Sequence, residues 1–198
     1  MLTTEDFYVT SDLHLGHRFV SKLRGFESTE VHDKVVIDNL MALPDGATII
    51  ILGDISVRKD LDALNTLEEI KKIKGFTLVL TPGNHDKVHP MYSSSEEWEP
   101  LYAEVFDQVS TMIYAAINRR KLVFTHYPVW GSIAMNPEFE TERTKQWWAP
   151  DLHATTVVHG HTHSAEPVAR GHVNVALEAH DMKPIHVSEL MKFVDQAN

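Results

Sequence analysis

Thr48-Ile49-Ile50-Ile51-Leu52-Gly53-Asp54 decides how the rest of this chain is read. Four consecutive aliphatic residues read as a short buried strand. A glycine that permits a sharp turn then leaves an aspartate standing at the strand's end. The flanks repeat the pattern. Upstream, Phe7-Tyr8-Val9-Thr10 reads as a first strand that stops at the polar pair Ser11-Asp12. Between the two, Val36, Leu40 and Leu43 recur at helical spacing within a segment from Val31 to Leu43, which Pro44-Asp45-Gly46 closes. Downstream, Asp60 is placed to cap a helix carrying Leu61, Leu64, Leu67, Ile70 and Ile73, with Lys71, Lys72 and Lys74 in its last turn and Gly75 just beyond. Phe76 to Leu80 is a third strand, closed by Pro82-Gly83. Strand, helix, strand, helix, strand predicts an α/β fold.

Strand-like runs at 109–117, 122–125, 155–159, 172–176 and 185–187 fill the second half and predict a second, more antiparallel sheet. Residues 89–99, with three successive serines, and 136–151, with Trp147-Trp148, are expected to be long loops. The chain has 198 residues, 43% hydrophobic and 23% charged, which lies in the globular range and fits one domain spanning residues 1–198. Apolar runs such as Ile49 to Leu52 are far below the roughly 20 residues that cross a bilayer. Residues 1–6 carry neither the basic start nor the apolar stretch of a secretory signal. With no cysteine in the chain, the expectation is a cytoplasmic protein without disulfides, whose metals bind only through nitrogen and oxygen. A net charge of −10 opposes extended binding to nucleic acid or anionic lipid.

The 13 histidines are the compositional feature that carries chemistry. Polar blocks follow the predicted strands, where open α/β sheets place their ligands: Asp12-Leu13-His14, Gly53-Asp54, Gly83-Asn84-His85-Asp86, His126, and His159-Gly160-His161-Thr162-His163. In an extended segment residues i and i+2 point to the same side, so Asp12 and His14 can approach one cation. His161 and His163 look like a second pair of metal ligands. Each block alone has an ordinary reading as a turn, a cap or a solvated loop. All five together, each at a separate strand end, do not.

The ordered set resembles the calcineurin-like metallophosphoesterase superfamily over residues 9–163, and Asp-Leu-His-Leu-Gly-His (residues 12–17) is similar to the matching block of its compact bacterial and phage-type members. The resemblance implies a four-layer αββα sandwich of two mixed sheets, with the metal site at the C-terminal ends of strands. It also implies one ion on Asp12, His14, Asp54 and His163, and a second on Asp54, Asn84, His126 and His161, bridged by Asp54. His85 would stand beside the leaving-group oxygen. Two divalent ions, two carboxylates and a bridging hydroxide sum to about +1, a natural host for a phosphoryl anion that the bridging oxygen attacks in line. The donor set suits Mn, Fe, Zn or Ni, with Mn the first expectation.

The expected function is therefore hydrolysis of small phosphodiesters such as cyclic nucleotides, since no further basic clamp is evident. A phosphomonoesterase, a nuclease or a non-catalytic protein-binding scaffold are the alternatives. Val57 stands where the family's protein phosphatases carry an aspartate that orients the catalytic histidine. Arg58 occupies the place of their phosphate-binding arginine and is a candidate substrate contact, or else a surface cation. His17 and Tyr127 are further candidate substrate contacts. Trp130, Trp147 and Trp148 are aromatic residues for either the rim or the core. His159 is expected to support its strand, and His172, His180 and His186 are assigned no chemistry.

Overall fold

The computed structural model describes residues 6–129, 131, 142–150 and 155–198. Two mixed five-stranded sheets pack face to face and helices flank them. In the first sheet β1 (Tyr8–Thr10), β2 (Thr48–Ile51) and β3 (Thr77–Leu80) run parallel. The short β4 (Gln108–Val109) extends this parallel set, and β10 (Ile185–His186) closes the other edge antiparallel to β1. The second sheet orders β5 (Ile113–Ile117), β6 (Arg120–Phe124), β7 (Thr155–His159), β9 (His172–Asn174) and β8 (Val168–Ala169). Its two outer pairings are antiparallel and its two inner ones parallel, so it is the more antiparallel of the two.

Strand alternation divides the core. Ile49 and Ile51 join Leu40, Leu64, Leu67 and Tyr102 beneath the helices, while Ile50 and Leu52 face Phe124, Val158 and Val173 of the opposite sheet. Burying both faces explains why β2 is an unbroken aliphatic run. Helix α2 (Thr29–Met41) starts where Ser28 Oγ accepts the Val31 N–H at 3.3 Å. Helix α3 (Asp60–Lys74) ends at Gly75, whose φ of 69° suits a left-handed cap. Asp60 does not cap it. Lys59 occupies the cap position, and the buried Asp60 carboxylate accepts from Lys87 N and Tyr102 Oη instead.

Three expectations are corrected. The run 109–117 is two strands in two sheets: Ser110 Oγ donates to Met112 O in the short crossover between β4 and β5. Only the first part of the expected loop 89–99 is loop: residues 95–99 begin α4 (Ser95–Val105), a helix that contains Pro100 and buries Tyr102 and Val105. The expected strand 185–187 stops at His186, and Val187 already begins α6 (Val187–Ala197), whose Val187, Leu190, Met191 and Val194 make a buried helical stripe. Short α1 (Arg18–Leu23) and α5 (Glu142–Lys145) complete the described helices. Of the other expected loop, 136–151, residues 136–141 and 151 lie outside the described residues, as does Trp130, and the described part carries α5. Among the described residues, no helix is long and apolar enough to cross a membrane.

Candidate metal centre

The loops after β1 and β2 run side by side as a continuation of their ladder. Asp12 N donates to Gly53 O, His14 N to Asp54 O and Leu15 N to Ile55 O, at 2.9–3.0 Å. Asp12 and His14 do converge, but not by strand alternation. Both have left-handed backbone, at φ 59° and 49°, as do Asp54, His161 and His163. Non-glycine residues there cost on the order of 1–3 kcal/mol each, so backbone strain is concentrated at this spot. Two glycines leave room for it. A Cβ on Gly83 would fall 2.8 Å from both Asp54 Cγ and His126 Cε1, and one on Gly160 would fall 2.6 Å from Ser11 Cβ and against the Asp12 carboxylate.

Seven side chains meet in two overlapping groups. In the first, His14 Nε2 lies 3.2 Å from His163 Nε2, 3.7 Å from Asp12 Oδ1 and 3.9 Å from Asp54 Oδ2. In the second, His126 Nε2 lies 3.1 Å from His161 Nδ1, 3.3 Å from Asn84 Oδ1 and 3.5 Å from that same Asp54 Oδ2. Donors that each stand ~2.1 Å from one ion are themselves separated by roughly 3–4 Å, which these spacings match. Asp12 Oδ1 is buried and has no hydrogen-bond partner among the described residues. A carboxylate oxygen left so in a protein interior is costly without a cation. The residues therefore fit a pair of divalent ions.

Surrounding groups fix the donors. A carbonyl oxygen can only accept, so the 2.7 Å contact between His126 Nδ1 and Leu52 O puts the ring proton on Nδ1 and leaves the Nε2 lone pair facing inward. His163 Nδ1 lies 2.6 Å from Glu178 Oε1 with the same consequence. Asp12 Oδ2 accepts His161 N at 2.9 Å, and Asp54 Oδ1 accepts His85 N at 2.9 Å. Buried Asp86 accepts from the backbone N–H groups of Asp54, Ile55 and Gly83 at 2.7–3.0 Å, tying the second block to the third.

Burial pushes His14 down to about 4 and His161 down to about 3, so both rings are neutral at pH 7 with lone pairs to offer. Burial opposes ionisation of Asp12 and Asp54. The nearby imidazoles of His14, His126 and His163 outweigh it for Asp12, those of His126, His85 and His14 do so for Asp54, and both stay below the usual carboxylate value. His163 differs: burial would lower it, but the Glu178 hydrogen bond and then Asp12 raise it.

A cleft of about 660 Å³ opens beside the second group, lined by His17, Arg58, Asn84, His85, Lys87 and Tyr92 among others. His85 Nε2 stands 3.9 Å from Asp54 Oδ2 with its side chain 37% exposed, at the boundary between the donor cluster and the cleft. Arg58 is exposed with a φ of 62°, and Lys87 Nζ lies 4.7 Å over the Tyr92 ring. Arg58, a candidate substrate contact, thus shares this wall with a second cation, Lys87, where no further basic clamp was evident from the chain.

The family model of the calcineurin-like phosphoesterases matches residues 6–165. The chain belongs to that family. It is 30% identical over 205 aligned positions to the gene 66 protein of Mycobacterium phage D29, covering 96% of this chain and 97% of the phage protein. It is 28% identical over 187 positions to the gene 66 protein of Mycobacterium phage L5, covering 87% and 86%. Among solved structures, the protein of unknown function AQ665 from Aquifex aeolicus superposes with a TM-score of 0.64 at 21% identity, over 94% of this chain and 98% of that one. That likeness speaks to the fold.

Within this calcineurin-like phosphoesterase, the seven side chains singled out as ligands lie together. His17 and Arg58 reach the cleft with His85. Tyr127 does not reach it in the same way: it is 1% exposed and packs edge-on against His126 and His161, at centroid distances of 4.8 and 4.9 Å. Its place is behind two ligands rather than at the rim, stacked with Trp148, which also packs edge-on against His161. His159 is buried and bonded to Gly160 O, supporting its strand end. Sequence reasoning missed Arg24 and Glu178, and gave Asp86 no role. Arg24 follows Lys22 in what reads as a solvated helix end, and Glu178 stands alone in a 3-10 turn at Leu177–Ala179.

Proposed function

We propose that this phosphoesterase-family protein is a dinuclear metal-dependent phosphodiesterase acting on small diesters, cyclic nucleotides among them. The observation that carries the reading is Asp54 Oδ2, one buried oxygen standing within 3.9 Å of a donor atom in each group and of His85. Asp12, His14, Asp54 and His163 would hold one ion, and Asp54, Asn84, His126 and His161 the other. Such ions supply positive charge to phosphoryl oxygens and lower the proton affinity of water held between them. An all nitrogen-and-oxygen donor set suits Mn, Fe, Zn or Ni, and Mn is the first to try.

The chain's own residues do the rest. His85, whose partly exposed imidazole stands against Asp54, is placed to give a proton to the departing alkoxide. Asp86 holds the Asp54 and Gly83 backbones in register, so the bridging carboxylate is fixed before substrate arrives. His17 and Arg58 line the approach to His85 and can orient the ester oxygens. Two divalent ions, the Asp12 and Asp54 carboxylates and one hydroxide would sum to about +1, which matches a singly charged diester.

The test compares chelator-treated protein with the same protein after Mn²⁺ is restored. The substrate panel is bis(p-nitrophenyl) phosphate, p-nitrophenyl phosphate and 2′,3′- and 3′,5′-cyclic nucleotides. Expected is turnover that depends on Mn²⁺ and is greater for diesters than for the monoester. Arg58 and Lys87 on the cleft wall favour a second reading, a dianionic monoester, which the inverse order of rates would support. No metal-dependent turnover on any ester would leave the fold as a scaffold.

A further inference from the structure

We propose that Arg24 and Glu178 form a brace that sets the affinity of one ion, the ion of Asp12, His14 and His163; the inference rests on the metal-centre reading above. Glu178 Oε1 accepts from His163 Nδ1 at 2.6 Å and from Arg24 Nε at 2.9 Å. The Arg24 side chain is 2% exposed and that of Glu178 12%. The same guanidinium donates from Nη2 to Asp12 O at 2.7 Å and from Nη1 to Leu13 O at 3.4 Å, and that Nη1 also meets His32 Nε2 at 2.8 Å. His32 in turn bonds Asp33, whose other oxygen accepts Gly16 N, two residues beyond His14.

One planar cation thus grips the backbone of the loop carrying Asp12 and His14, while its carboxylate partner orients the ring of His163 from the opposite sheet. Two side chains hold the main chain at Asp12 and Leu13 and the Nδ1 side of the His163 ring, opposite the Nε2 that faces His14. The second group has no counterpart among the described residues: His126 leans on a neutral carbonyl, Leu52 O, and His161 Nε2 is buried without a partner. An anionic partner on the far ring nitrogen raises the donor strength of a histidine and fixes its rotation, and removing such a partner costs 10–100-fold in metal affinity. Glu178 and Arg24 are therefore positioning residues for one side of the centre only.

The experiment is a calorimetric Mn²⁺ titration of the full chain after chelation, in wild type, Glu178→Gln and Glu178→Ala, with thermal midpoints recorded without metal. Expected is two ions per wild-type chain. Glu178→Gln, whose amide oxygen still accepts from Nδ1–H, should weaken one of the two by about 10-fold and leave the other within about 3-fold; Glu178→Ala should weaken that same ion further, toward 100-fold. Equal weakening of both ions, or none in a folded Glu178→Gln protein, overturns the brace while the metal centre stands. Absence of ion uptake by wild type overturns the centre and the brace with it.

Discussion

Replacing Gly83 by alanine places one methyl group where the two halves of the donor cluster meet. The Cβ would lie 2.8 Å from Asp54 Cγ and from His126 Cε1, and nearer still to Asp54 Oδ1. Carbon atoms in contact rest ~3.5–4.0 Å apart, so the methyl group, the carboxylate or the imidazole must retreat by about 1 Å. None can do so freely, since Asp54 Oδ1 is held by His85 N and His126 Nδ1 by Leu52 O. Overpacking of this kind costs about 1–3 kcal/mol, and misplacing catalytic groups by about 1 Å costs on the order of 10²-fold in rate. Gly171→Ala is the control. Its site has open space but a φ of 73°, so it pays only the backbone penalty of ~1 kcal/mol and keeps its turnover. Urea unfolding of the metal-free proteins gives the stabilities, and Mn²⁺-dependent hydrolysis of the preferred ester gives the rates. A Gly83→Ala protein with wild-type turnover and two ions bound would refute the crowding argument and, with it, the rigid placement of Asp54.

Asp54→Ala removes the oxygen common to both groups, so elemental analysis after dialysis should show loss of ions and the ester assay no turnover; two retained ions would deny the bridge. His85→Asn should lower turnover by about 10²–10⁴-fold with ion content unchanged, whereas metal loss would make His85 part of the cage. His89, buried against Tyr127 and Trp147, is pushed down to about 4, first by burial and then by His126. Below its ordinary value of 6.5 the unfolded chain takes up a proton that the folded one refuses, so this stability is full above that pH and declines on acidification. The decline should be about 1.4 kcal/mol per pH unit between roughly pH 6 and 4. Urea midpoints across that range should fall less steeply in His89→Gln, by about one proton in slope, and parallel profiles would remove His89 as the cause.

Most of the donor set could be read from the chain because each ligand follows a strand whose apolar run announces itself. Ile49 to Leu52 leads to Asp54, and Thr155 to Val158 leads to His161 and His163. What could not be read is held by tertiary contact alone. Arg24 and Glu178 are separated by 154 positions, and neither neighbourhood sets its residue apart from a surface charge. Left-handed backbone at five ligands was equally hidden, since none of them is a glycine: Asp12, His14 and Asp54 adopt it in the paired loops after β1 and β2, and His161 and His163 in the loop after β7. Helix α6 did carry its stripe in the sequence, but the strand at Ile185–His186 runs straight into it without a separating turn. Pro100 and the serines before it masked α4, because serines read as turn residues and a proline inside a helix costs it a backbone hydrogen bond.

The donors come from both leaves of the sandwich. Asp12, His14, Asp54 and Asn84 follow strands of the first sheet, and His126, His161 and His163 follow strands of the second. Either ion would be gripped from both sides and act as a clasp, so that neither leaf could peel away without first releasing its cargo. Loading should slow amide exchange in β2 and β7 together, making occupancy a lock on the whole architecture as well as the source of its chemistry.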